Sequence, residues 1–78
     1  MKSNLIYSDD KLYVYLNGKS NKKDFRNLYN KLNYLVNSYD INDIIFNINN
    51  LNRNQNIDIS NFIDNYKYEF SGEITIEK

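Results

Sequence analysis

The run Asp43-Ile44-Ile45-Phe46-Asn47-Ile48 narrows the folds open to this chain more than any other feature. Ile44, Ile45, Phe46 and Ile48 leave no polar face, so a strand built from them cannot lie half in water. It must be central, and two-sided burial favours parallel pairing. Parallel neighbours need crossover connections, and the chain has a helical pattern on each side of the run. In residues 21–39, Phe25, Leu28, Tyr29, Leu32, Leu35, Val36 and Tyr39 recur at helical spacing and form one continuous stripe. Ser20 or Asn21 can cap that helix, with Asp24 in its first turn. Beyond the polar loop Asn49–Asn56, a second stripe runs through Ile59, Phe62, Ile63, Tyr66 and Phe70, and Gly72 is expected to stop it.

Strands complete the pattern. Asn4–Ser8 is a short strand ended by the turn-forming pair Asp9-Asp10. In Lys11–Gly18, Leu12, Val14 and Leu16 point to one face and Tyr13 and Tyr15 to the other. Ile74 and Ile76 are expected to point inward from a last strand. The order is β-β-α-β-α-β, and right-handed crossovers place both helices over one face. The expected fold is α/β: a single domain over residues 1–78, with a mixed four-stranded sheet and two helices packed on one face.

The chain has no Cys and no His, which removes disulfides, thiolate metal sites and imidazole catalysis. Packing alone must hold a domain that buries only about 60% of its unfolded surface. The ten Lys+Arg balance ten Asp+Glu, which speaks against general affinity for phosphate backbones. The charge is uneven: Lys19, Lys22, Lys23, Arg26 and Lys31 make the first helix basic, and Asp58, Asp64, Glu69, Glu73 and Glu77 make the C-terminal third acidic. The segment MKSNLIYSDD lacks the apolar core of a signal peptide, and no run approaches membrane-spanning length, so a cytoplasmic protein is expected.

The element order, with Leu16-Asn17-Gly18 closing a strand, Ile44–Ile48 with trailing Leu51, and Ile57–Phe62 opening the second helix, resembles the STAS domain family of anti-sigma-factor antagonists. An apolar strand closes on Leu16-Asn17-Gly18, an amphipathic helix follows, and Ile44-Ile45-Phe46-Asn47-Ile48 with trailing Leu51 matches the family's next strand without a gap. Ile57-Asp58-Ile59-Ser60-Asn61-Phe62 then stands where the family opens its second helix with I-D-S-(S/T)-G-L. The departures bear on function. The loop between Leu51 and Ile57 is three residues longer than the family's, and Ile59 replaces the phosphate-accepting serine. Ser60 matches the second hydroxyl position, and Asn61 replaces the glycine.

The resemblance implies a non-enzymatic protein-interaction module that binds an anti-sigma factor or kinase-like regulator through the loop and the start of the second helix. Asn54, Gln55, Asp58, Ser60 and Asn61 are the expected partner-binding residues. Ser60 is a candidate phosphosite, because free N–H groups and the dipole at a helix N-terminus favour a phosphate. The alternative is that Asp58 or Ser60 simply caps the helix. No catalytic residue, metal ligand or cofactor is expected. Asp40 and Asp43 have no partner base, and Gly18 and Gly72 make no phosphate-cradling loop.

Two other classes fit part of the sequence. A phage- or mobile-element-encoded inhibitor would share the small size and the lack of chemistry. An RNA-recognition domain would use Tyr13 and Tyr15 to stack on bases, but no second aromatic-rich strand is present. No nucleic-acid or membrane partner is expected, and the chain is expected to act as a monomer or a weak homodimer, pairing through an exposed sheet edge or through Tyr13 and Tyr15 where the sheet carries helices on only one face.

Overall fold

A computed structural model describes residues 1–19, 21–51 and 56–77. The elements are β1 (Lys2–Ser8), β2 (Lys11–Gly18), α1 (Lys22–Tyr39), β3 (Asp43–Leu51), α2 (Asn56–Glu69) and β4 (Glu73–Glu77). The chain is an α/β domain with a mixed four-stranded sheet in the order β1-β2-β3-β4. β1 pairs antiparallel with β2, while β2–β3 and β3–β4 are parallel. The uniformly apolar segment is thus the interior strand with a parallel neighbour on each side.

Both helices cover the same face. Leu28 and Leu32 of α1 and Ile59, Ile63 and Tyr66 of α2 join Leu12, Val14, Leu16, Ile44 and Phe46 in one buried cluster. An aromatic seam ties helix to helix. Phe25 and Phe62 lie 5.5 Å apart, Tyr29 meets Tyr66 edge-on at 6.0 Å, and Tyr66 stacks on Phe70 at 5.9 Å. Each such pair adds about 0.5–1.5 kcal/mol beyond simple burial. The Tyr66 hydroxyl donates to Asn33 Oδ1 at 3.2 Å, so the seam's polar tip is not orphaned.

Local chemistry sets the element ends. Asp9 (φ 53°) and Asp10 (φ 63°) both take left-handed backbone, as a two-residue turn with mirror-image twist requires, and Ser8 pairs directly with Lys11. Asn21 caps α1. Its side chain accepts from Asp24 N–H at 2.9 Å, and Asp24 Oδ2 accepts from Asn21 N–H at 3.0 Å, completing a capping box. The Asp24 carboxyl is held below the usual carboxylate range, first by a hydrogen bond from the Met1 amino group and then by the one from Asn21 N–H.

Four expectations are corrected. β3 runs on through Asn49 and Asn50 to Leu51, across a register shift opposite Tyr15–Asn17. Leu51 is buried in the core, so the polar loop begins later than the composition suggests. Ile76 shares the core-side face with Ile74, level with Phe46, but is left 37% exposed there, because β4 is an edge strand with β3 on one side only; Ile74 is packed against the core. Tyr39 ends the α1 stripe but is 56% exposed and stacks on Tyr7 at 5.8 Å beside the hairpin turn. Gly72 does not stop α2, which ends at Glu69. The glycine is needed because a Cβ there would overlap the carbonyl of Asn42, the group that accepts the Glu73 N–H at 2.9 Å and starts β4.

Two outcomes follow from this packing. Gly72→Ala is expected to lower stability by about 2–3 kcal/mol in urea unfolding, since backbone cannot yield as a flexible side chain can. The Tyr66 hydroxyl is pushed up to about 12 by burial and by neighbouring Tyr29 and Glu69. The unfolded chain releases this proton from about pH 10, so stability is full below that pH and falls as the pH rises from about 10 to about 12. Tyr66→Phe should flatten the alkaline fall and, through the lost hydrogen bond, cost about 1 kcal/mol at neutral pH. Thermal unfolding at stepped alkaline pH measures both effects.

Candidate functional site: a groove between the two helices

Both helices return from the C-terminal ends of parallel strands, so their N-termini open at the same end of the sheet. There the helices part around a groove of about 730 Å³. Asn21, Lys22 and Phe25 line it from α1, and Asp58, Asn61, Phe62 and Asn65 from α2. On α2 these four fall at i, i+3, i+4 and i+7, a stripe beside the core stripe Ile59, Ile63 and Tyr66. The groove continues along the helices as a smaller cavity of about 290 Å³, lined by Arg26, Tyr29, Tyr66 and Glu69 among others. The Tyr29 hydroxyl donates to Glu69 Oε2 at 2.5 Å across that lower end.

The larger cavity is the size of an ordinary ligand cleft. Its floor is two half-buried phenyl rings, Phe25 and Phe62, and the exposed amides of Asn61 and Asn65 stand on its rim. Lys22 and Asp58 supply one charge of each sign. Phenyl rings bind an apolar side chain, the amides both donate to and accept from a peptide backbone, and the opposite charges take a salt-bridging pair. Among the described residues, no three Asp or Glu side chains come close enough to hold a metal ion.

Of the expected partner-binding residues, Asp58 and Asn61 line the groove. Ser60 is exposed but does not line it. Asn54 and Gln55 lie outside the described residues. The expectation that Asp58 or Ser60 caps the second helix is corrected, because α2 already begins at Asn56 and contains both. Asp58 sits in the first turn, where its charge favours the dipole. Ser60 comes one turn in, past the four free N–H groups, so the helix-end case for a phosphate does not reach it. A phosphate there would also stand near the carboxylate of Asp64, one turn on. Ile59, at the position the STAS resemblance gives to the phosphate acceptor, is 0% exposed within the core.

Asn21, Lys22, Phe25, Phe62 and Asn65 were not foreseen as site residues. Phe25 and Phe62 read as core from their helical spacing, and each does pack against the core while its other side lines the groove. The available signal was the second polar stripe on α2, running Asp58, Asn61 and Asn65. No protein-family model, curated protein or solved structure matches this chain.

Since Asn21 both caps α1 and lines the groove, Asn21→Ala should lower stability by about 1 kcal/mol and fray the wall carrying Lys22. Asn21→Ser should recover most of the loss. Thermal unfolding gives the first number, and amide exchange of the first turn of α1 gives the second.

Proposed function

We propose that the chain is a non-enzymatic protein-interaction module of the STAS type, working in the cytoplasm, whose helix-side groove holds a segment of a regulatory partner protein. The observation that carries this reading is the groove itself: an aromatic floor, an amide rim and one charge of each sign, built by residues 58–65 of α2 and the facing first turn of α1. That combination fits a peptide segment with an apolar anchor. The STAS part rests on the residue matches from Gly18 to Leu51 and on Ile57–Phe62 at the start of the second helix. An anti-sigma factor or a kinase-like regulator is the partner class that resemblance suggests. Ile59 is fully buried and has no hydroxyl, so the reading includes no phosphoserine switch at that position.

RNA binding fits less well. Beside Tyr13 and Tyr15 in register stand Ile45 and Asn47 rather than a second pair of aromatic rings. Asp43, Glu73 and Glu77 stand on the acidic half of the sheet and would repel phosphates. Among the described residues, no helix is long and apolar enough to cross a membrane.

The test is capture from a lysate of the source cells, with and without nuclease, by the native chain and by an Asn61→Arg/Asn65→Arg variant that fills the groove rim. Both positions are exposed, so circular dichroism should show an unchanged fold. The expected result is a nuclease-resistant protein captured by the native chain and reduced at least about tenfold by the variant, a loss of about 1.4 kcal/mol. Equal capture by both chains, or recovery of nuclease-sensitive complexes alone, would overturn the reading.

A further inference from the structure

The sheet face away from the helices has its own chemistry. Leu12, Val14 and Leu16 point into the core, so Lys11, Tyr13 and Tyr15 project from the other side. Ile6, Tyr13, Ile45 and Thr75 stand level across all four strands of that face. Tyr13 and Tyr15 stack on each other at 6.4 Å. Ile6 is 51% exposed and Tyr15 39%. This is an apolar band on a face that no helix covers.

The charges on the face are segregated. Lys2 and Lys11 lie on the β1–β2 half, and Asp43, Glu73 and Glu77 on the β3–β4 half. Asp43 is level with Glu73, and Glu77 with Asn47. Among the described residues none of these five charges is in an ion pair; the pair that is present joins the Met1 amino group to Asp24. One half of the face therefore carries the lysines and the other the carboxylates, with Lys11 level with Asp43 where the two halves meet.

We propose that this face binds a second copy of the chain, sheet against sheet, about a two-fold axis that runs along the strands between β2 and β3. The charge pattern selects that axis. Rotation about it lays the β1–β2 half of one copy over the β3–β4 half of the other. Lys11 then faces Asp43 and Glu73 of the second copy, Lys2 comes close to Glu77, and Tyr13 lies over Ile45. A two-fold axis across the strands would instead stack lysine on lysine and acid on acid, which like-charge repulsion disfavours.

The size of the face sets the strength. Four strands about 4.8 Å apart and six residues long at about 3.3 Å each give roughly 400 Å² per copy. Two copies bury on the order of 800–1,000 Å², below the usual size of a stable interface, so the dimer is weak and reversible, with Kd on the order of 10–100 µM. The inference is independent of the helix groove, because it uses the opposite face. It also leaves both grooves pointing outward, so a dimer would present two partner sites.

Sedimentation equilibrium over about 5 µM to 1 mM tests the proposal. The native chain should pass from monomer to dimer, and its Kd should weaken at least about tenfold when salt rises from about 0.05 M to about 0.5 M, where exposed pairs are screened. Lys2→Glu/Lys11→Glu makes the whole face acidic, and Asp43→Lys/Glu73→Lys makes its other half basic. Each variant alone should be monomeric, and an equimolar mixture of the two should dimerise. A native chain that stays monomeric throughout, or a dimer indifferent to salt, overturns the proposal without any variant. A dimer that survives Lys2→Glu/Lys11→Glu, or variants that fail to pair when mixed, also overturns it.

Discussion

Because β3 carries apolar side chains on both faces and has a parallel strand on each side, neither of its connections can be a tight turn. Both must leave the sheet as crossovers, and right-handed crossovers that step the same way across the sheet bring both helices to one face. The order β1-β2-β3-β4 thus follows largely from one segment of the chain. So does the division of labour between faces. The face under the helices takes Ile44, Phe46 and Ile48 into the core, while Ile45 stays on the other, 8% exposed between Tyr13 and Thr75.

The same constraint places the groove. Two helices that leave the same end of a parallel sheet bring their N-termini side by side. Phe25 and Phe62 are left half-covered at that end, facing each other at 5.5 Å. Further along, the helices close on Tyr29, Tyr66 and Phe70, where burial is deep enough to push the Tyr66 hydroxyl up. A wide cavity at one end and a narrower one, spanned by the Tyr29–Glu69 hydrogen bond, at the other are therefore consequences of one packing arrangement.

Much of this was legible in the sequence, for reasons that differ by element. Helical spacing and strand alternation are local, so α1, α2, β2 and the face shared by Leu12, Val14 and Leu16 could be read from them. The Asp9-Asp10 turn was legible because aspartate tolerates left-handed backbone. What could not be read depends on partners distant in sequence. Ile76 alternates like a buried residue, but only the sheet order shows that β4 is an edge. Gly72 has the position of a helix stop, but its reason is the Asn42 carbonyl thirty residues earlier in the chain. Of the candidate site, Asp58 and Asn61 were legible, while Lys22, Phe25 and Asn65 needed the pairing of α1 with α2. The α2 start at Asn56 escaped a reading in which polar Asn56 belonged to the loop.

The central functional claim is that a partner protein engages the helix side and leaves the sheet face untouched. The most direct test is an amide-resonance map of the isotopically labelled chain titrated with the protein it captures. The account predicts shifts at Lys22, Phe25, Asp58, Asn61 and Asn65, with Tyr13, Tyr15 and Ile45 unmoved. Shifts centred on Tyr13, Tyr15 and Ile45, with the groove residues silent, would contradict it.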